Sequence, residues 1–405
     1  MRLLPTVLVL SSAFPMVANA QTPAEAMPAP APAAEAAPAP APAPAPAPVA
    51  EAAAPAPAAP APIAFGWEAL VDTYYLYNFT GDPKTQAPLG RQFDTTANSF
   101  ALNYAKLGVH ADTDLVSFRL DFGGGHTAAI INSASGSASA AGAATSPTDT
   151  ASLYGNGFLI QQAFATVRPT PTISIDAGKF VTSASAEVIE SNKNWLYSRS
   201  FLFYGVPLLH TGLRVNAALL GTIAAPELVL SLQLVNGWNN DPDSNSDKTF
   251  GLNLTYTPLN QGLTAALTSY IGKEVAGGKT QMLVDAVVTK DIGNISVGAN
   301  IDYFKLDTAH WFGIAGMGRF IASDAFTLAA RAEFLNCKGT YITDPAGADT
   351  VSLYELTVMG AWTVGKHYEL RAEVRADMSN KEVFMKGADP KKNQVTGLLA
   401  ALAYF

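Results

Sequence analysis

From His367 to Arg375 a histidine, two glutamates and two arginines take every second position, with Tyr368, Leu370, Ala372 and Val374 between them. Successive side chains of a β-strand point to opposite faces, so this stretch has one ionic face and one apolar face. A soluble sandwich has no use for a dense ionic face opposite an apolar one, strand after strand. A membrane barrel does, with lipid outside and water inside. The pattern recurs along the chain. Val116, Phe118, Leu120 and Phe122 alternate with Ser117, Arg119 and Asp121, and Phe250, Leu252, Leu254 and Tyr256 with Gly251, Asn253, Thr255 and Thr257. Ile295, Val297, Ala299, Ile301 and Tyr303 oppose Ser296, Gly298, Asn300 and Asp302, and Phe326, Leu328, Ala330 and Ala332 oppose Thr327, Ala329, Arg331 and Glu333.

This alternation predicts an all-β fold, a transmembrane antiparallel β-barrel of about sixteen strands. The spans are 66–78, 99–111, 115–124, 158–168, 173–181, 209–219, 227–237, 249–257, 263–272, 280–289, 295–304, 311–321, 325–335, 351–363, 367–377 and 395–405. Short turns at Thr113-Asp114, 169–172, 258–262, 291–294, Ser323-Asp324 and Gly365-Lys366 alternate with longer loops at 79–98, 125–157, 182–208, 238–248, 336–350 and 378–394. Short periplasmic turns and long outer loops are how outer-membrane barrels are built, and an even strand count puts both termini on the periplasmic side. Trp67, Tyr74, Tyr75, Tyr77, Trp238, Trp311, Trp362, Tyr368, Tyr404 and Phe405 fall near strand ends and are expected in interfacial girdles. No window holds the unbroken apolar run that a membrane-spanning helix needs.

Ahead of the strands lie two segments of other character. Residues 1–20 carry Arg2, an apolar run and the small-x-small site Ala18-Asn19-Ala20, which together predict a secretory signal. Residues 21–62 are nearly all Pro, Ala and Glu, a composition that buries no core and favours extended polyproline II. They are expected to form a disordered periplasmic linker, leaving 63–405 as the barrel. At ~3.1 Å per residue the linker reaches on the order of 100 Å, so a tether that grips peptidoglycan stands as an alternative role.

The net charge of −8 argues against nucleic acid as a partner. The lone Cys337 has no companion for a disulfide or a metal site and is expected to be structural. Asp241-Pro242-Asp243-Ser244-Asn245-Ser246-Asp247 begins like a calcium loop but has Ser246 where the turn needs Gly and Leu252 at the closing position. Gly123-Gly124-Gly125-His126 lacks the Lys-Ser/Thr of a phosphate loop. No metal or cofactor is expected. A barrel hydrolase would need a His beside a Ser or Asp at one height of the wall. Of the five histidines, His110 and His367 fall next to expected periplasmic turns and His126 and His310 near the outer rim, which leaves His210, on a strand beside Thr211. A wall histidine is the simpler account of it, and no enzyme activity is expected.

Gly178-Lys179-Phe180, Glu187, Tyr197-Ser198-Arg199-Ser200, Phe203, Pro207, His210-Thr211-Gly212-Leu213-Arg214 and Asn236-Gly237-Trp238-Asn239 resemble the OmpL-like β-barrel porin family. The resemblance implies an outer-membrane protein that passes small hydrophilic solutes or ions by passive diffusion, and it is compatible with a homotrimer. The terminal Tyr404-Phe405 resembles the signal read by the barrel-insertion machinery, here weakened by the small Ala401 and Ala403. In general porins the third outer loop folds into the lumen, which makes Glu187, Glu190, Lys193 and Arg199 the constriction candidates. A loop that only covers the mouth is the alternative. Arg119, Asp121, Arg214, Asp302, Arg331, Glu333, Arg371, Glu373 and Arg375 are the candidate lumen wall, facing water. Because both signs occur there, weak selectivity is expected.

Overall fold

The computed structural model describes residues 63–81, 88–134, 157–340, 342 and 350–405. The expected signal segment, the Pro/Ala linker and most of the Ala/Ser-rich loop 133–150 lie outside the described residues. The alternating segments pair with their sequence neighbours into sixteen antiparallel strands that close into one barrel. These are β1 (Ala64–Asn78), β2 (Ser99–Asp112), β3 (Val116–Gly124), β4 (Phe158–Thr170), β5 (Ile173–Val181), β6 (Leu209–Thr222), β7 (Ala225–Val235) and β8 (Thr249–Tyr256) in the first half. The second half is β9 (Leu263–Gly272), β10 (Gln281–Ile292), β11 (Ile295–Leu306), β12 (Ala309–Ser323), β13 (Phe326–Lys338), β14 (Val351–Val364), β15 (Tyr368–Ser379) and β18 (Asn393–Tyr404). Every expected span coincides with a barrel strand.

Closure is made by β18 on β1, in register from Leu70↔Tyr404 to Asn78↔Thr396. At its end Phe405 exchanges backbone hydrogen bonds with Ala69 at 3.0 and 3.1 Å. Lipid offers no partner to a strand edge, so a closed ladder is what allows sheet to cross a membrane. No helix among the described residues is long and apolar enough to do so. The pieces missed from sequence are short: the hairpin of β16 (Phe384–Lys386) and β17 (Asp389–Lys391), the helix His126–Ala134, and the one-turn helix Phe201–Tyr204. Each is too brief to show a period of its own.

The two faces sort as the alternation requires. Phe118, Phe250, Leu252, Ile295, Val297 and Leu328 are exposed on the outer face, while Ser117, Asp121, Asn253, Asn300, Asp302 and Arg331 are buried inside. The aromatic expectation holds in part. Trp67, Tyr77, Trp362, Tyr368 and Phe405 are exposed on the outside, but Tyr74 and Trp311 are buried inside the barrel and Trp238 packs edge-on against Phe304 at 5.7 Å. Nearness to a strand end does not say which face a ring takes; parity does, and Tyr74 shares its face with Asp72 and Leu76.

Bulges interrupt the parity in two places that matter below. Asp72 pairs with Tyr104 and Thr73 with Leu102, which leaves Asn103 as the extra residue on β2. Likewise Asp121 pairs with Gln162 and Phe122 with Ile160, leaving Gln161 extra on β4. A bulge re-aims a side chain. As a result the consecutive pairs Asn103-Tyr104 and Gln161-Gln162 are all buried against the lumen.

Candidate channel constriction

The third loop, residues 182–208 between β5 and β6, passes through the barrel and meets the wall on several sides. At its start the Ser183 N–H donates to the Tyr270 hydroxyl at 3.1 Å, and the Ser183 carbonyl accepts from Thr268 Oγ1 at 3.0 Å. The Ala186 N–H donates to Asn300 Oδ1 at 2.9 Å on β11. Across the lumen, Glu190 pairs with Lys106 on β2 and accepts from Gln161 Nε2 at 3.0 Å. Ser191 Oγ and the Tyr197 hydroxyl both donate to Asp72 on β1, and Asn103 Nδ2 donates to the same Tyr197 oxygen at 2.9 Å. Both bulged residues thus hold the loop.

The last limb is held by its backbone. Glu333 takes the N–H groups of Phe201 and Leu202 on its two oxygens at 2.8 and 2.7 Å. Glu373 takes those of Tyr197 and Ser198, at 2.8 and 3.1 Å on Oε2. The carbonyls go to arginines: Ser198 O to Arg331 at 2.8 Å, Arg199 O to Arg375 at 2.5 Å, and Ser191 O to Arg371 at 2.9 Å. Register explains why β13–β15 can do this. Glu333, Glu355 and Asp377 are cross-strand partners in one row, and Arg331, Thr357 and Arg375 in the row two residues along. The two rows lie two residues, about 6.7 Å, apart, so acceptors and donors reach the loop's N–H and carbonyl groups from adjacent rows.

These wall residues were expected to face water, and they do not. Arg331, Glu333, Arg371, Glu373 and Arg375 point inward but are buried under the loop. Alternation gives the inward face; it cannot show that a distant loop covers it. Arg331 also binds Glu187 at 2.7 Å and Glu355 at 2.9 Å, and Arg375 binds Asp377 at 2.7 Å. The remaining candidates scatter. Arg119 and Asp121 join Lys106, Glu68 and Lys193 in an ionic cluster on the β1–β3 wall. Arg214 pairs with Asp176 at 2.8 Å and lies over Phe180. Asp302 sits opposite Asp285 in the ladder, with Asn300 Nδ2 donating to both carboxylates.

Within the loop the four candidates divide by role. Arg199 is buried and, among the described residues, meets no carboxylate at ion-pair distance; it donates to the carbonyls of Val188, Ile189 and Tyr197 and lies over Phe93. Burial lowers its pKa, an effect that nearby Glu187 opposes. Arg199 ties the loop to itself. Glu187 gives one oxygen to Arg331 and the other to the Ser200 N–H. Burial pushes the Glu190 carboxyl up, but Lys106 and Lys193 overcome it and hold the group below the usual carboxylate range. Lys193, 3.2 Å from Glu68, is the most exposed of the four, at 33 % of its side chain. Sequence reasoning missed Asp72, Asn103, Lys106 and Gln161. For Asn103 and Gln161 the signal was the break in alternation, two polar or inward residues in a row, at 103–104 and 161–162.

What the loop leaves open lies on its other flank. A cleft of about 70 Å³ runs between the loop and β2–β5, lined by Lys106, Arg119 and Gln162 from the wall and by Glu190 and Lys193 from the loop. His210, the one candidate for hydrolase chemistry, stacks on Tyr270 at 4.5 Å, and its Nδ1 meets the Gly237 carbonyl at 2.9 Å. Among the described residues no cluster of His, Cys, Asp and Glu is placed to hold a metal ion. Cys337 is buried, its Sγ donating to Ile342 O at 3.1 Å.

A family model described as "Putative beta-barrel porin-2, OmpL-like" matches residues 64–405. The chain belongs to this porin family. It is an outer-membrane β-barrel channel protein. No curated protein matches the porin's sequence. Solved structures agree on the fold. The outer-membrane channel DcaP of Acinetobacter baumannii aligns with TM-score 0.56 at 13% identity, over 85% of this chain and 97% of its own. Salmonella typhi OmpF, in complex with daunomycin, gives 0.54 at 11% identity over 84% and 97%. The anion-selective porin from Comamonas acidovorans gives 0.52 at 10% identity over 85% and 100%. The resembling motif also has a structural part in the porin. Gly178 and Gly212 face each other across β5 and β6, and a Cβ on either would come within 2.2 Å of a neighbouring strand's carbonyl oxygen.

Proposed function

We propose that the porin passes small hydrophilic solutes and ions by diffusion along the flank between the third loop and β2–β5, with the loop setting the size limit. The observation that carries this is the asymmetry of the loop's attachment. Its backbone is bound along β13–β15 by Glu333, Glu373, Arg331 and Arg375, so the charged ladder there serves as a clamp and not as a lining. On the opposite flank the contacts are between side chains, and the cleft remains. Glu187, Glu190 and Lys193 then border the path, as does Arg119 on the wall; Arg199 shapes the loop from within.

The reaction needs no covalent step, which fits a His210 engaged with a backbone carbonyl. A homotrimer is part of the proposal, supported by the likeness to OmpT of Vibrio cholerae in its trimer form, TM-score 0.52 at 12% identity over 85% of this chain and 99% of that one. Tyr404 and Phe405, at the closing seam of the barrel, are proposed as the element read during insertion, and residues 21–62 as a periplasmic arm. Purified porin in a planar bilayer tests the channel reading. Discrete conductance steps in potassium chloride are expected, and protein that inserts as a folded barrel yet never conducts would overturn it.

A further inference from the structure

The cleft beside the third loop is mixed in chemistry, and its charged lining is unequal in what it leaves free. Its apolar lining is Val181, Val188, Ile189, Phe203 and Leu208. Its charged lining is Lys106, Arg119 and Lys193 with Glu187 and Glu190. Both oxygens of Glu187 are taken, by Arg331 and by the Ser200 N–H. Glu190 is engaged through Oε1 by Lys106 and Gln161. Glu68, whose side chain is 32 % exposed, serves Lys106, Arg119 and Lys193. Lys106 is spent in turn on Glu68, Asp121 and Glu190.

The cations at the rim are different. Lys193 carries three N–H donors and meets Glu68, with 33 % of its side chain exposed. Arg119 directs Nε to Asp121 and Nη2 to Glu68, with 21 % of its side chain exposed, and a guanidinium has five N–H donors. Arg119 and Lys193 therefore keep positively charged N–H donors at the cleft beyond those their ion pairs use. Their complement is an anionic acceptor, and a carboxylate fits the planar guanidinium best. The apolar lining complements a short hydrocarbon body, since pockets that hold small solutes combine apolar walls with a few placed polar groups.

We propose that this cleft is a binding subsite for small amphiphilic monocarboxylates, the carboxylate held by Arg119 and Lys193 and a body of a few carbons lying on Val181, Ile189, Phe203 and Leu208. The proposal rests on the channel reading only for its location on the permeation path; binding itself is measurable without conduction.

Calorimetric titration of the full chain, folded in detergent, with 3-methylbutanoate tests it. Saturable binding is expected, with acetate (no body), 3-methylbutanol (no charge) and 3-methylbutylammonium (opposite charge) all weaker. Lys193→Gln and Arg119→Gln should each weaken 3-methylbutanoate about fivefold, the weight of one partly exposed charge contact. Lys193 lies on the loop and not in a barrel strand, so its variant stays informative if the Arg119 variant fails to fold. In a bilayer the same anion should reduce the chloride current of the wild type at concentrations where acetate does not. Equal affinities across the four probes, or binding unchanged in K193Q, overturns the subsite. Binding without conductance would overturn the channel reading and leave the subsite standing. Conductance without binding does the reverse.

Discussion

Glu333 gives the sharpest test of how the third loop is held. Its two oxygens accept the N–H groups of Phe201 and Leu202 at 2.8 and 2.7 Å, and the carboxylate is buried. Hydrogen bonds to a charged acceptor contribute about 1.5–3 kcal/mol each, so Glu333→Ala should weaken docking of that limb by about 3 kcal/mol or more. It also strands two buried N–H groups. The change leaves the neighbouring cations paired, since Arg331 keeps Glu187 and Glu355, and Arg375 keeps Asp377. A loss of about 3 kcal/mol raises the undocked population roughly a hundredfold. Two assays follow that population. Trypsin cleavage after Arg199, buried at 2 % exposure when docked, should accelerate in proportion, with the cut mapped by mass spectrometry. Single-channel conductance should rise and become noisier as the loop leaves the lumen. Glu333→Gln, which keeps one acceptor oxygen, should fall between the two. A variant that folds as a barrel by gel mobility, yet shows wild-type cleavage and conductance, would refute the clamp.

Further outcomes follow from the same contacts. Arg331→Met leaves Glu187 without its cation and Glu355 with Arg375 alone, at 3.9 Å, and should cost about 3 kcal/mol, seen as a lower midpoint of heat-dependent gel mobility; an unchanged midpoint would show that these pairs are not coupled to folding. Glu190→Gln removes one negative charge beside the cleft while Lys106 keeps Asp121 and Glu68. A unit charge about 7 Å away in water acts with about 0.6 kcal/mol on each ion and with opposite sign on the two, so chloride permeability relative to potassium should rise about eightfold, and an unmoved reversal potential places the path elsewhere. His126 lies in the mouth against Thr95, and burial holds its pKa down, from 6.5 to about 4, against the opposing pull of Asp94. A depressed histidine favours the folded form above 6.5, and that contribution is lost as pH falls to about 4, by about 3 kcal/mol at most. Amide exchange over residues 126–131 should quicken in that window and slow again in His126→Asn if titration of the ring is the cause.

Strand number, order and face were legible because period-two alternation is local and survives in each segment by itself. Ile295 to Tyr303 needs no partner to reveal which side of it is greasy. The hidden parts are those that depend on contacts distant in sequence. Nothing near Glu373 says that the peptide of Tyr197 will lie on it, so a wall residue and a clamp residue look alike in one dimension. Tyr74 and Trp311 went astray for a related reason: aromatics favour strands and strand ends on either face, and only parity within the strand separates the two faces. The bulges themselves left a trace. Asn103-Tyr104 and Gln161-Gln162 put inward-suited residues side by side within alternating strands, and both Asn103 and Gln161 proved to hold the loop.

That trace bears on selectivity. A ladder carrying both signs suggests a lining with no preference if all of it faces solvent. In the porin the β13–β15 part of the ladder is spent on peptide groups and on its own counter-ions, and buried pairs of opposite sign cancel over a few ångströms. What a solute meets is the remainder on the β2–β5 flank, where both oxygens of Glu187 and Oε1 of Glu190 are engaged and Arg119 and Lys193 keep donors beyond their ion pairs. The preference of such a pore is set by the few donors left over, not by the sum of wall charges. Neutralising Arg371 or Glu373 should therefore act on the position of the loop, and through it on conductance, while neutralising Arg119 or Lys193 should act on which ion is carried.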